Sequence, residues 1–342
     1  MIKKGVELII FTLFVLAASY SQYNSYNYAT IIIAGDLMLG RLVSDIIIEK
    51  GCDYIWGNTL SILQKADLRL ANLETTFTKS TAAVFKLFNF KSDPENICAL
   101  KAAHIDIVSL ANNHSKDFGN EGLIDTIKNL GHVNIAYIGA GLNINQARKP
   151  VILTKNNIKI GFLAATDNEP KWAATKDNPG INYFEVTKLN NLLDDIKALK
   201  KQVDIVVVSL HWGPNMREYP AQEYINAAHA IINAGADIIH GHSAHILQGI
   251  EIYQHKLILY DTGDFVDDYQ VDPRLRNDWS ALFMVTVSKE KIVSIKIIPT
   301  IIDLMQANTA SEGTTNKILR RLNQLSKPFN TKIPRDGILK IK

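Results

Sequence analysis

The stretch Ile205-Val206-Val207-Val208-Ser209-Leu210-His211-Trp212-Gly213 decides how this chain is read. Its first six positions are nearly all apolar, as in a strand covered on both faces, and it then breaks into an imidazole, an indole and a glycine. A helical segment follows over about 221–234, ending at Ala234-Gly235-Ala236-Asp237. Ile238-Ile239 then deliver His240-Gly241-His242-Ser243-Ala244-His245, and Leu257-Ile258-Leu259-Tyr260 deliver Asp261-Thr262-Gly263-Asp264. Core packing does not require buried strands to end in imidazoles or carboxylates beside glycine. Ligands of open α/β sheets bind outside the carboxyl ends of the strands, so the pattern predicts a metal site at that edge.

The same grammar recurs upstream. Residues 30–34 read as a strand ending in Gly35-Asp36, 68–71 as one ending in Asn72-Leu73-Glu74, and 105–110 as one ending in Ala111-Asn112-Asn113-His114. Helical periodicity falls on 42–49, 121–130 and 187–201, the last with Leu189, Leu192, Leu193, Ile196 and Leu199 on one face. Asp93-Pro94-Glu95 opens another helix, with proline in its first turn. Residues 151–153 and 158–164 flank Asn156-Asn157 as a hairpin, and 281–287 with 292–302 form a second around Lys289-Glu290-Lys291. Residues 76–91 are expected to be an aromatic-bearing loop or hairpin. No linker interrupts 30–302, which read as one α/β domain. Residues 303–342 form a C-terminal extension with an amphipathic helix over 316–325.

The chain has 342 residues, 47% hydrophobic and 21% charged, ordinary for a folded globular protein. A net charge of +3, with no basic stripe interleaved by aromatics, argues against nucleic acid as a partner. At the N-terminus Lys3-Lys4 precede an apolar run over 8–18 and the small residues Ala18, Ser19 and Ser21, the pattern of a secretory signal. The run is shorter than the roughly 20 residues a membrane span needs. Residues 1–21 therefore read as a signal peptide or a retained N-terminal membrane anchor, and 22–29 as a linker. Both readings predict an exported protein, periplasmic or otherwise extracytoplasmic. Cys52 and Cys98 can pair in such a compartment, and two unpaired thiols fit the sequence equally.

Five strand ends now carry Asp36, Asn72 with Glu74, Asn112-Asn113-His114, His211, and His242 with His245. Mixed carboxylate, amide and imidazole donors suit Zn, Mn or Fe rather than a thiolate site. Two divalent ions a few ångströms apart would clamp the attacking and leaving oxygens of a phosphoryl group, with one carboxylate between them. A further imidazole, kept off the metals, would protonate the leaving oxygen. Taken singly, Gly35-Asp36 is also a plain turn and Glu74 a plain cap; the weight comes from all five together. His104, His132, His229 and His255 read as structural. His240 is expected to end its strand one residue early and point away from its neighbours. Asp261 and Asp264 read as orienters of ligating histidines or as turn caps. Arg41 reads as a contact to an anionic oxygen or as half of an ion pair.

In order, Ala34-Gly35-Asp36-Leu37-Met38-Leu39-Gly40-Arg41, Ala71-Asn72-Leu73-Glu74, Ser109-Leu110-Ala111-Asn112-Asn113-His114, Ser209-Leu210-His211-Trp212-Gly213, Gly235-Ala236-Asp237 and Gly241-His242 with His245 and Gln248 resemble the bacterial capsule-synthesis family CapA, also known for the poly-gamma-glutamate synthesis protein PgsA. The resemblance covers roughly 30–300. It implies a variant of the calcineurin-like metallophosphoesterase fold, a four-layer α/β/β/α sandwich. It further implies Asp36, Glu74, Asn113, His211, His242 and His245 as ligands of one or two divalent ions (Mn, Zn or Fe), with Glu74 bridging. His114 would be the catalytic proton donor, Arg41, Asn72 and Asn112 would face substrate, and Asp264 would support the ligands. Three departures stand out: Met38 where the usual metallophosphoesterase has histidine, Glu74 where it has aspartate, and Ser243-Ala244 where many family members carry histidine-proline. The function implied is an exported metal-dependent hydrolase acting on a phosphoester or anionic polymer linkage. The alternative is a non-catalytic cell-surface subunit of a membrane polymer-synthesis complex, and a third is a polyanion-binding module.

Overall fold

The computed structural model describes residues 27–341; the expected signal or anchor over 1–21 and most of the linker lie outside the described residues. Among the described residues no helix is long and apolar enough to cross a membrane.

Two sheets dominate. The first runs Gln306–Thr309, Ile292–Asp303, Trp279–Val287, Ala29–Leu37, Leu68–Leu73, Ile107–Ser109, Ala136–Ile138 in spatial order, with Asp264–Val266 added on Ala29–Leu37 and Ile338–Lys340 on Ile292–Asp303. It is parallel from Ala29–Leu37 to Ala136–Ile138 and antiparallel on the other side. The second sheet runs Ile250–Tyr253, Lys256–Leu259, Ile238–His242, Ile205–His211, Ile158–Thr166, Val151–Lys155. Its four central strands are parallel and its edges antiparallel.

The period of two along each strand explains the layers. Ile31, Ile33, Leu70 and Ile107 of the first sheet meet Ile160, Phe162, Val207 and Ile238 of the second in one buried cluster. The alternate residues Ile32 and Ala34 face Val43 and Ile47 of the Arg41–Lys50 helix and Leu123 and Leu130 of Gly119–His132. Val206 and Val208 face Ile196 and Leu199 of Asn190–Lys200 and Ala228 and Ile231 of Gln222–Asn233. The result is the expected α/β/β/α sandwich, and it accounts for the unbroken apolar runs: both faces of each central strand are covered. Truncating Ile33, fully buried between the sheets, to alanine costs about 2–5 kcal/mol.

Local signals behave as read. Asp93 accepts from the Glu95 N–H at the start of its helix, and Asn156 and Asn157 both adopt left-handed φ, 49° and 62°, as a two-residue hairpin turn requires. Residues 76–91 do not form a hairpin. Thr76–Phe77 pairs in parallel with Lys91–Ser92, because the segment between is held elsewhere: Val84 N–H donates to the Asp117 carbonyl and Phe90 N–H to the Asp117 carboxylate. The C-terminal extension is part of the sandwich. Gln306–Thr309 and Ile338–Lys340 extend the first sheet, and the Glu312–Leu325 helix puts Ile318, Leu319 and Leu322 into the inter-sheet cluster.

Cys52 and Cys98 are disulfide-bonded, Cα atoms 5.6 Å apart, 46 residues apart in sequence. The bond ties the end of one outer helix to the start of another, and closing a loop of that length restricts the unfolded chain by about 4 kcal/mol in the chain-entropy account.

Candidate metal centre

The first sheet supplies oxygens. Its register sets Asp36 opposite Asn72 on one side and Asp264 on the other. The approach is close: a Cβ on Gly35 would lie 1.8 Å from the Gly263 carbonyl oxygen, and Asp36 N–H donates to that oxygen at 3.1 Å. Asn72 Nδ2 donates to Asp36 Oδ1 at 2.8 Å and to Glu74 Oε1 at 2.9 Å, fixing two buried carboxylates with one amide. Asn112 Nδ2 in turn donates to Asn72 Oδ1 (3.0 Å) and the Leu73 carbonyl (2.8 Å), and Asn112 Oδ1 accepts from His114 N–H and Ser115 Oγ. Asn72 and Asn112 were expected to face substrate. Both are fully buried with their amide groups engaged inside the fold, so they orient the carboxylates instead.

The second sheet supplies imidazoles. Ile205–His211 and Ile238–His242 lie in parallel register, Ser209 beside His240 and His211 beside His242. Gly241 permits this: a Cβ there would sit 2.1 Å from the Tyr260 carbonyl oxygen. His211 Nδ1 lies 3.0 Å from Glu74 Oε1 and 3.0 Å from His242 Nδ1; His242 Nδ1 lies 3.8 Å from Asp36 Oδ1. The expectation for His240 is overturned. The strand runs on through His242, so residues two apart project to one face, and the His240 and His242 rings lie 4.8 Å apart.

His245 comes from the strained turn after that strand, with Ser243 at φ 115° and His245 at φ 60°. Asp261 holds the turn, accepting from Ala244 N–H at 2.7 Å and Gly263 N–H at 2.8 Å. His245 Nδ1 then reaches Asp264 Oδ1 (2.9 Å) and Asp36 Oδ2 (3.3 Å).

Two ligand groups result, Asp36–Glu74–His211–His242 and Asp36–His245–Asp264, the ligand atoms of each within 4.8 Å of one another. The residue common to both is Asp36, not Glu74, because the strand of Asp36 lies between the one that leads to Glu74 and the one that carries Asp264. Asp264 stands among the candidate ligands rather than behind them. The donors fit a cation: Asp36 Oδ2, Glu74 Oε2, Asp264 Oδ2, His211 Nε2 and Asn113 Oδ1 are buried without a hydrogen-bond partner, a costly condition that coordination relieves. Burial, then Glu74, pushes the Asp36 carboxyl up. Burial would raise Glu74 too, but the charge and hydrogen bond of His211 bring it down to about 2. Burial pulls His245 down, yet Asp264 and Asp36 outweigh it and hold the imidazole well above its usual value. Burial, with His240 and His211 beside it, keeps His242 well below its own.

His114 lies outside both groups. Its Nδ1 meets Asp117 Oδ2 at 2.7 Å, and the Phe90 ring packs edge-on at 4.5 Å. The Asp117 carboxylate also meets Lys86 Nζ at 3.2 Å, and Lys86 donates to the Asn113 carbonyl. Asp117, Lys86 and Ser209 were not singled out as site residues from sequence, although Asp117 sits three positions after His114. Arg41 Nε lies 3.2 Å from Asp268 Oδ2, with its guanidinium over the Phe88 and Tyr269 rings; its Nη1 makes no hydrogen bond.

Fold and site together define a class: a four-layer α/β/β/α protein whose two parallel strand edges converge on a buried carboxylate–imidazole centre. The sequence narrows it. Residues 30–269 match the family described as bacterial capsule synthesis protein PGA_cap, and the chain belongs to that family. It is 30% identical to a probable polyglutamine synthesis accessory protein of Mycobacterium tuberculosis, over 90% of this chain and 93% of that one. It is 33% identical to the PGA biosynthesis protein CapA of Bacillus subtilis (81% and 72%) and 33% to the capsule biosynthesis protein CapA of Bacillus anthracis (70% and 60%). Among solved structures, a phosphatase from Mycoplasma pneumoniae aligns at 16% identity with a TM-score of 0.47, over 80% of this chain and 94% of that one.

Proposed function

We propose that this protein is an exported, divalent-metal-dependent hydrolase that cleaves a phosphoester or related anionic linkage in capsule or poly-gamma-glutamate synthesis. The observation that carries the reading is the pair of buried ligand groups sharing Asp36, with the His114–Asp117 pair beside them. Asp36, Glu74, His211 and His242 would hold one cation, Asp36, His245 and Asp264 a second, with Asn113 a further oxygen donor. A divalent cation there supplies the charge that polarises a phosphoryl oxygen and acidifies the attacking water. His114 gives a proton from Nε2 to the leaving oxygen, while Asp117 on Nδ1 stabilises the doubly protonated ring and fixes its orientation. Arg41, with Nη1 free of hydrogen bonds, meets an anionic oxygen of the substrate.

Export is supported by the signal-like N-terminus and by the Cys52–Cys98 disulfide, since disulfides persist in oxidising compartments. One observation favours the alternative of a non-catalytic subunit of a polymer-synthesis complex: Met38 is fully buried and offers no hard ligand. Metal analysis of the purified protein, with turnover of a generic phosphodiester before chelation, after it and after metal is restored, separates the two. Chelation-sensitive turnover supports the hydrolase; full metal content without turnover on any phosphoester supports the subunit. If His211→Ala changed neither metal content nor turnover, the hydrolase reading would be wrong.

A further inference from the structure

Between the sheets, Ser209 Oγ lies 2.9 Å from His242 Nε2 and 3.0 Å from His240 Nδ1. All three residues are fully buried. A hydroxyl has one proton, so Ser209 can donate to only one of these rings and must accept from the other. Two arrangements follow. In one, His242 Nε2–H donates to Ser209 and Ser209 donates to His240 Nδ1; the proton of His240 is then on Nε2 and the lone pair of His242 Nδ1 is free. In the other, His240 Nδ1–H donates to Ser209, Ser209 donates to His242 Nε2, and His242 carries its proton on Nδ1, where it blocks coordination.

The placement of His242 decides between them. Its Nδ1 faces the cation site, 3.8 Å from Asp36 Oδ1 and 3.0 Å from His211 Nδ1, so a ring that ligates there carries its proton on Nε2, toward Ser209. We infer that Ser209 and His240 are positioning residues, which fix His242 with its proton on Nε2 and its Nδ1 lone pair directed at the cation site beside Asp36 and His211. The inference rests on the metal-centre reading above. It explains why a third histidine and a serine are buried where leucine and alanine would pack more simply: groups that orient a ligating imidazole set its tautomer and its basicity.

The test uses the full-length protein and three variants, Ser209→Ala, His240→Leu and His240→Asn. Zn and Mn affinity is read by competition with a chelating dye, folding by the melting temperature of metal-free protein, and the His242 tautomer by ring-nitrogen NMR. Ser209→Ala and His240→Leu are expected to weaken metal binding about 10–100-fold, the usual effect of losing such a partner. His240→Leu, apolar and of similar bulk, is expected to melt at or above the parent temperature. His240→Asn keeps an acceptor for Ser209 and is expected to recover most of the affinity. Unchanged affinity in both Ser209→Ala and His240→Leu would overturn the inference, leaving His240 as packing. If His240→Leu does not fold, Ser209→Ala carries the same test. If the parent protein binds no metal, the proposed function fails, yet the NMR arm still decides here: a proton on His242 Nδ1 in the parent overturns the inference, and one on Nε2 that redistributes in Ser209→Ala supports it.

Discussion

The two sheets bring different chemistry to one rim. The first contributes Asp36, Glu74 and, through its added strand, Asp264, and cross-ties the first two with the Asn72 amide, itself held by Asn112. The second contributes His211 and His242, whose Nδ1 atoms lie 3.0 Å apart, and the single hydroxyl of Ser209 links His242 to His240. Buried carboxylates repel one another and need N–H donors to hold them, which an amide with two donor hydrogens provides. Imidazoles need no such donor but have two nitrogens to choose between, a choice assigned above to Ser209 together with His240. Each half is thus supported by the residue type its own ligands require.

Asp36 is where the halves meet, and removing it is the most severe break. Asp36→Ala is expected to abolish turnover and to remove metal from both ligand groups, a loss beyond the ~100-fold ceiling for residues that merely orient ligands. Glu74→Gln and Asp264→Asn should each empty one group only. Metal content per chain checks the comparison; equal losses in all three would mean that the two groups are one site.

His114→Asn comes next. His114 stands on the oxygen side yet belongs to neither group, so turnover is expected to fall about 10²–10⁴-fold with metal content unchanged. The loss should be largest for substrates with poor leaving groups and small for a nitrophenyl ester, whose leaving oxygen needs no proton. A parallel loss of metal would show His114 to be a ligand.

A milder change is Asn72→Ala, which leaves every ligand in place. It takes the shared donor from Asp36 and Glu74, and metal affinity is expected to fall about 10–100-fold. Ser209→Ala is its counterpart across the rim, and a similar loss in both would show that the two halves are supported equally.

What the sequence disclosed and what it hid follow from the same physics. A strand buried on both faces has only its carboxyl end free to bind, so apolar runs ending in Asp36, His211 and His242 could be found without coordinates. A single α/β domain followed from those runs and the helices between them, whereas the four layers were implied by the resemblance to the capsule-synthesis family. The role of an amide could not be found that way, because whether Asn72 touches substrate or a carboxylate depends on which atoms come opposite it. His240 was misjudged because its strand was expected to end there, whereas the strand runs on through His242 and residues two apart then share a face. For residues 76–91 a hairpin stayed open beside a loop because the sequence does not show that Asp117 holds Val84 and Phe90.

Lys86 offers the finest discrimination. It arrives on that same segment, between exposed Phe85 and Leu87, and turns inward to Asp117 Oδ1 and the Asn113 carbonyl, with Trp172 beneath its ammonium. It therefore touches the backbone of one proposed ligand and the partner of the proposed acid without approaching either ligand group. Asp117 keeps two other donors, His114 and the Phe90 N–H, so Lys86→Met does not strand it. The side chain of Lys86 is one-fifth exposed, and loss of the contact is expected to cost about 1 kcal/mol, or about fivefold in turnover if it is felt at His114. Metal affinity should stay at the parent value, and Lys86→Arg should restore the rate. A fall in affinity instead would mean that Lys86 acts through Asn113, and would assign the segment to the oxygen half of the rim rather than to the proton donor beside it.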